Sequence, residues 1–406
     1  MTPRRLLPLV VLLALALPAA ARAEALAPRA GSAILVQPDT GDVVYARAPD
    51  QRRSIASTTK LMTALLTLER ANLDDVVPAA PYRALPAESI AGLRTGERLT
   101  VRDLLRALLL QSANDAAVTL AVHVSGSRSA FVRAMNARAR KLGLRHTHYA
   151  NPVGLDEKGN YSSARDLARL AEVLLRNRFF ARTVDRPRVT LTSGSHTRRF
   201  LNRNLLVRRV AFVDGVKTGH TQQAGYVLVG AGERRGVRLV SVVLGEPSEA
   251  ARDAESLRLL RYGLARYRPH VAFKRGQVVA KEGLKYRDET VDLLAGRTLG
   301  AIVRRGAPTA VHVQAPSEID GPLAAGARVG TVVLTVRGRE VARAPLVTAR
   351  AVAEASLAQR LTGFLGTGLT LALIAVLALS TLQLTRMRRR ATRRRARARR
   401  RGTEAA

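Results

Sequence analysis

The chain has 406 residues, 47% of them hydrophobic, enough for two domains with accessory segments. It contains no cysteine, which excludes disulfides and thiolate metal sites, and no tryptophan. Its formal charge is +36; +10 of this lies after Thr385 and +3 in the first 23 residues, so the body between carries +23. A basic chain of this kind suggests nucleic acid as a partner. The N-terminus redirects that reading. Arg4 and Arg5 precede an apolar run from Leu6 to Leu17, followed by Pro18 and Ala21-Arg22-Ala23. A basic start, a short apolar core and a small-residue cleavage site predict a secretory signal peptide over 1–23. Behind such a signal the counter-charges are anionic lipid head groups and acidic envelope polymers, not nucleic acid.

Ala33–Val36 and Asp42–Tyr45 flank Gln37-Pro38-Asp39-Thr40-Gly41 and predict a β-hairpin. Next comes Ser57-Thr58-Thr59-Lys60, an S-x-x-K tetrad, followed by Leu61, Leu65, Leu66 and Leu68 at helical spacing. A helix starting here puts the Ser57 hydroxyl and the Lys60 amine on one face. Burial or nearby cations can lower a lysine's pKa until it serves as base to a serine. The free N–H groups of a helix start can also stabilise an oxyanion.

From Asn72 to Thr100, breakers at Pro78, Pro81, Pro86, Gly92 and Gly96 predict loops and short strands. Apolar spacing predicts helices over Val101–Leu110, Asp115–Ser125, Ser129–Leu142 and Ala164–Asn177. Strands are predicted at Val210–Val216, Gly225–Ala231 and Leu239–Leu244, then a helix over Arg252–Tyr267. Beyond Pro269, β-like runs at Gln277–Val279, Thr290–Leu294, Ala310–Val313 and Arg328–Val336 predict a small all-β domain. Phe364 to Leu384 holds no charged residue. As a helix it would span about 31 Å at ~1.5 Å per residue, enough for a bilayer core of roughly 30 Å. The arginine run from Arg386 puts the tail in the cytoplasm and the domains outside. No polar face interrupts the apolar run, so a spanning helix is expected over a surface-lying one.

The tetrad has company in a particular order. Ser112-Ala113-Asn114 and then Lys217-Thr218-Gly219 follow it, the set found in serine penicillin-binding proteins and class A β-lactamases. The wider words are Ala56–Thr63, Ser112–Ala117, Asn151-Pro152-Val153-Gly154-Leu155, Asp214–Thr221 and Ala224-Gly225-Tyr226. Together they resemble the low-molecular-mass penicillin-binding proteins that are serine-type D-alanyl-D-alanine carboxypeptidases. The resemblance runs from about Ala27 to Tyr267 and more weakly to about Leu346. Ile55 departs from it, standing where the family commonly has proline. A helix can start without that proline.

The resemblance implies an α/β fold: a β-lactamase/transpeptidase-like catalytic domain of antiparallel sheet and helical lobe, a small all-β domain, and a C-terminal transmembrane helix. The boundaries expected are 1–23 signal peptide, 24–268 catalytic domain, 269–350 β-rich domain, 351–385 connector and membrane helix, and 386–406 cytoplasmic tail. It implies Ser57 as nucleophile, Lys60 as its base and Ser112 as proton relay, with Asn114 on a substrate amide. Ser112–Asn114 could equally cap the helix at Asp115. Lys217, Thr218 and Gly219 would line an edge strand beside the nucleophile as charge, hydroxyl and close backbone approach. Backbone N–H groups of Ser57 and His220 would form the oxyanion hole, and Thr221 would meet the substrate carboxylate. Arg203 and Arg252 are further candidates for that carboxylate, by bidentate geometry. Asn151–Leu155 reads as a structural turn. His146 and His148 lack the carboxylates a metal site would need, so neither metal nor organic cofactor is implied.

The resulting expectation is an exported enzyme, held in the cell membrane by one helix, that removes the terminal D-alanine from peptidoglycan stem peptides. Its partners are those peptides, β-lactams as inhibitors, and the membrane. A β-lactamase is the nearest rival, but the E-x-x-L-N word of class A enzymes is missing. An endopeptidase acting on cross-links shares every motif. A non-catalytic envelope-binding protein would have no need of Ser57, Lys60, Ser112, Asn114 and Lys217 together.

Overall fold

The computed structural model describes residues 30–365 and 368–403; the predicted signal peptide lies outside them. The chain forms two compact units. Among described residues, the first takes 30–36, Asp42–Gly232 and Leu239–Gly263, and the second takes Gln37–Gly41, Glu233–Arg238 and 264–403.

In the first unit, β1 (Ser32–Gln37) and β2 (Asp42–Arg47) form the predicted hairpin. A 3-10 turn, Ala56–Thr59, runs into α1 (Lys60–Arg70). The loop region holds one short ladder, β3 (Val76–Pro78) with β4 (Arg98–Thr100). Four helices follow: α2 (Val101–Arg106), α3 (Asn114–Ser125), α4 (Arg128–Leu142) and α5 (Ala164–Leu175). Between α2 and α3 the chain widens into a π-turn over Ala107–Gln111, which ends the helix predicted as continuous to Leu110. Polar caps start α2, α4 and α5: Thr100, Ser127 and Ser163 accept backbone N–H groups of Asp103, Ala130 and Asp166.

Four elements of this unit went unread in the sequence: α6 (Arg178–Val184), the hairpin of β5 (Arg188–Leu191) with β6 (Arg198–Leu201), and the short α7 (Leu205–Arg209). After α7 come β7 (Val213–Thr221), β8 (Gly225–Arg234), β9 (Val237–Glu246) and α8 (Glu249–Leu264). The five long strands make one sheet in the order β2-β1-β9-β8-β7. The first strand of this sheet in chain order therefore pairs with the last, with Ile34 opposite Val242, and β7 is left at an edge. All six residues of β1 are buried, and β8 and β9 are buried through their middles. A sheet covered on both faces needs runs of apolar residues, not alternation. The helical lobe packs a single core around Leu61, Leu66, Leu108, Leu120, Phe131 and Leu167.

The second unit is all-β apart from its C-terminal helices. It comprises β10 (Tyr267–Phe273), β11 (Val278–Leu284), β12 (Thr290–Ala295), β13 (Leu299–Arg304), β14 (Thr309–Gln314), β15 (Glu318–Ile319), β16 (Arg328–Val336) and β17 (Arg339–Thr348). Six form a sheet in the order β14-β16-β17-β12-β11-β15, and β10 pairs with β13. Leu293, Val332, Leu334 and Leu346 fill its core. The predicted helix to Tyr267 is corrected: α8 stops at Leu264, and Tyr267 opens β10.

Two helices close the chain, α9 (Leu357–Leu365) and α10 (Gly368–Thr403). Within α10, Leu371–Arg394 is long and apolar enough to cross a membrane, and none of it is buried. Such a helix fits a membrane anchor. Residues 366 and 367 of the predicted span lie outside the described residues.

Candidate active site

The turn at Ala56–Thr59 is held from within: Thr58 donates to the Ile55 carbonyl by its backbone N–H at 3.1 Å and its hydroxyl at 2.6 Å. It delivers Ser57 and Lys60 to one face. Lys60 is fully buried, with Nζ 3.0 Å from Ser57 Oγ and 2.5 Å from the Val153 carbonyl oxygen. Burial pushes the Lys60 amine down to about 7, against the opposing pull of the Glu88 and Asp115 carboxylates. An amine in that range is neutral often enough near pH 7 to accept a hydroxyl proton.

Val153 is in place because Asn151 pins its loop. Asn151 Oδ1 accepts from the backbone of Val153 at 3.2 Å and Gly154 at 2.6 Å, while its Nδ2 donates to the Leu155 carbonyl at 3.2 Å. The predicted structural turn thus also supplies a partner of Lys60, a role that no side-chain pattern could reveal.

Ser112, 6% exposed, follows the π-turn with φ of 65°. It does not cap α3: the N-cap position is Ala113, and no side chain caps it. Asn114 opens the helix, its backbone N–H donating to the Ser89 carbonyl at 2.8 Å. Its Nδ2 donates at 2.8 Å to Glu88 Oε2, which also accepts from the Tyr82 hydroxyl. Partial burial acts to raise the Glu88 pKa, but these two bonds, the Leu85 N–H and the nearby Lys60 charge hold it below the usual carboxylate range. Asp115 accepts from the backbone of Ala91 and Leu93, fixing the same loop from below. Sequence reasoning missed Glu88 and Tyr82, which reach the site from a proline-broken loop with no motif of its own.

Lys217, Thr218 and Gly219 lie in β7, at the sheet edge as expected. A Cβ on Gly219 would sit 2.9 Å from Ser57 N and 3.0 Å from the Ala56 Cβ, so this strand abuts the nucleophile turn. Lys217 is 1% exposed and donates to the Thr218 carbonyl at 2.9 Å. Burial pushes its pKa well below the usual lysine value, and the positive charges of Lys60, Arg203 and Arg252 push the same way. Those three cations therefore share its electrostatic neighbourhood.

The outer candidates divide. The His220 ring stacks on Tyr226, its register partner in β8, at 4.0 Å between centroids. Thr221 departs from expectation: its hydroxyl donates to Asp156 Oδ1 at 2.7 Å and accepts from Ala224 N at 3.1 Å, closing the β7–β8 turn. Arg203 is exposed beside the π-turn, where its backbone N–H meets the Leu110 carbonyl at 3.1 Å. Arg252 is 3% exposed and engaged by Asp253 at 2.8 Å and Glu249 at 2.9 Å. Its guanidinium is thus committed to internal partners, unlike the substrate-facing arginine anticipated.

Comparison with known proteins now adds an independent line. Residues 19–248 match the family described as D-alanyl-D-alanine carboxypeptidase, and residues 267–354 match the penicillin-binding protein 5 C-terminal domain. D-alanyl-D-alanine carboxypeptidase DacF of Bacillus subtilis (strain 168) is 32% identical over 335 residues, 80% of this chain and 86% of that protein. DacD of Escherichia coli (strain K12) is 35% identical over 355 residues, 82% of this chain and 90% of its own. Among solved structures, penicillin-binding protein 5 from Haemophilus influenzae superposes with a TM-score of 0.59 at 31% identity, covering 81% of this chain and 98% of that one.

Proposed function

The chain belongs to the D-alanyl-D-alanine carboxypeptidase family, and from that membership we propose that it removes the terminal D-alanine of peptidoglycan stem peptides through an acyl-enzyme on Ser57. The observation that carries the reading is the 3.0 Å approach of a buried Lys60 amine to the Ser57 hydroxyl. Neutral Lys60 takes the hydroxyl proton as Ser57 Oγ attacks the carbonyl between the two D-alanines. The oxyanion develops at the backbone N–H groups of Ser57 and His220. Ser112 relays that proton from Lys60 to the departing D-alanine nitrogen, which leaves Lys60 neutral again. Water then attacks the ester carbonyl, and Ser57 Oγ leaves with its proton restored. Asn114, held by Glu88, accepts the peptide by its free amide face, Arg203 supplies positive charge for the terminal carboxylate, and Lys217 supplies an N–H donor.

A β-lactam presents the same acyl carbonyl in a ring, so Ser57 opens it and carries the adduct. Membrane attachment through α10, with the tail in the cytoplasm and the catalytic and β-rich domains outside, accords with the apolar stretch and the arginines that follow it. Incubating the full chain in detergent with a D-Ala-D-Ala-terminated peptide and quantifying free D-alanine tests the reading. Release that vanishes in Ser57→Ala supports it; equal release by that variant refutes the nucleophile, and none from folded wild type refutes the activity.

A further inference from the structure

Arg198, on β6, has no part in the chemistry above, yet its guanidinium is fully engaged inside the first unit. Its side chain is 5% exposed and that of its partner Glu97 is 4% exposed. Nη1 and Nη2 donate to the two Glu97 oxygens at 2.9 and 2.8 Å. Nε reaches the Ala91 carbonyl and Nη2 the Gly92 carbonyl, both at 3.1 Å. The remaining Nη1 donor meets the His196 carbonyl at 3.4 Å, so all five N–H groups have an acceptor. Such a set needs a planar fork, which lysine lacks. Burial acts to raise the Glu97 pKa, but Arg198, the Ser195 and Arg94 N–H groups and the Ser195 hydroxyl hold it well below the usual carboxylate range.

Ala91 is held from two sides. Its carbonyl takes Arg198, and its N–H donates at 2.9 Å to Asp115, the residue after Asn114. Two residues earlier, the Ser89 carbonyl accepts the Asn114 backbone N–H at 2.8 Å. Next to Ser89, Glu88 accepts the Asn114 side-chain amide at 2.8 Å. The loop over 88–92 therefore runs between Arg198 and the start of α3. The hairpin that carries Arg198 is itself fixed to α2. Asp103 Oδ2 accepts from the backbone of Thr192 and Ser193, both at 3.0 Å, and from the Ser193 hydroxyl at 2.8 Å. Beyond β6 the chain leads to Arg203, whose backbone N–H meets the Leu110 carbonyl two residues before Ser112. One hairpin thus braces the Ser112–Asn114 word from both ends.

We propose that Arg198 is a positioning residue for acyl transfer: by holding the Ala91 and Gly92 carbonyls it keeps Glu88 on the Asn114 amide and close to Lys60. The inference rests on the carboxypeptidase reading above and deepens it. Without this clamp the loop relaxes, and two things change together. Asn114 loses its fixed orientation toward the substrate amide. The Lys60 ammonium loses the Glu88 charge that favours it, which leaves Asp115 as the carboxylate acting on it and Lys217 as the neighbouring cation. Neutral Lys60 then persists to lower pH. A purely structural role for Arg198 would cost stability and leave both properties as they were.

The test uses the full chain in detergent and a paired variant, Arg198→Met with Glu97→Gln, which removes the clamp without leaving a buried charge unpaired. Wild type and this variant are each combined with Glu88→Gln and with Glu88→Ala. D-Alanine release from a D-Ala-D-Ala-terminated peptide gives kcat/KM from about pH 5 to 9, on protein that a thermal melt shows to be folded. Loss of the clamp is expected to lower kcat/KM roughly ten- to hundredfold and to move the acid limb to lower pH. Adding Glu88→Gln should then move the limb no further. Adding Glu88→Ala should cost less than about twofold, against about tenfold in wild type, because Glu88 has already left its place. Arg198→Lys, which keeps the charge and loses the fork, should fall between. If the paired variant does not fold, Arg198→Lys carried through the same cycle decides by the same criteria. Unchanged kcat/KM and acid limb, or Glu88 effects that add in full to those of the clamp variant, overturn the role of Arg198 alone. No D-alanine from wild type overturns the carboxypeptidase reading and this inference with it.

Discussion

Gly154 lies so close to Ala56 that a Cβ on it would sit 2.0 Å from the Ala56 carbonyl oxygen and 3.0 Å from Ser57 N. Its φ of +88° is also one that side chains disfavour. The loop that supplies the Val153 carbonyl to Lys60 is thereby wedged against the turn that carries the nucleophile. Gly154→Ala should push the two apart, costing about 2 kcal/mol or more of stability and slowing acylation beyond what that loss explains. Denaturant unfolding together with acylation kinetics on the folded fraction checks this. Unchanged acylation would show that the contact only packs.

The Lys60 amine, pushed down to about 7 by burial, should set the acid limb of the pH–rate profile. Acylation falls as pH drops through that value, because the protonated amine cannot accept from Ser57. The linkage has a definite sign. Folded Lys60 loses its proton at lower pH than the unfolded lysine, so its contribution to stability improves from about pH 7 up to the ordinary lysine range. Lys60→Met should therefore lose activity, by about 10²–10⁴-fold, without losing stability. Acylation rates from about pH 5 to 9 and a thermal melt measure both.

Glu88 combines two effects that substitution can separate. Glu88→Gln keeps an acceptor for Asn114 but removes the charge that supports protonated Lys60. Its acid limb should move to lower pH with a modest change in rate. Glu88→Ala also frees the Asn114 amide and should cost about tenfold in kcat/KM. Matching profiles for wild type and Glu88→Gln would remove the electrostatic part of this account.

How far the site was legible follows from where its parts come from. Ser57, Lys60, Ser112, Asn114 and Lys217 lie in compact words whose local spacing already sets their geometry. The edge position of β7 was anticipated from the family resemblance, not from the pattern of its own residues. Val153 acts through its carbonyl, which every residue carries, so its side chain gave no signal. Glu88 and Tyr82 depend on the path of a loop, and loops lack periodicity. In the second unit β14 was legible as Ala310–Val313 although every one of its residues is exposed, whereas β10, β13, β15 and β17 went unread. The helix end at Leu264 was misplaced because Ala265-Arg266-Tyr267 continues a helical composition that pairing with β13 overrides.

Arg203 and Arg252 should part ways on substitution. Arg252→Ala leaves the buried Asp253 carboxyl without its partner and should cost about 3–5 kcal/mol of stability. Arg203→Ala removes an exposed cation and should raise KM for the peptide with little effect on stability. Thermal midpoints and KM values for the two variants decide the assignment; the opposite pattern would exchange their roles.

The central claim is that Ser57, activated by Lys60, becomes acylated. The most direct measurement is mass spectrometry of the full chain after brief exposure to a penicillin, followed by proteolysis to locate the adduct. The account expects one adduct, on Ser57, absent from Ser57→Ala and formed about 10²–10⁴-fold more slowly in Lys60→Ala. An adduct on another residue, or the same rate without Lys60, would contradict it.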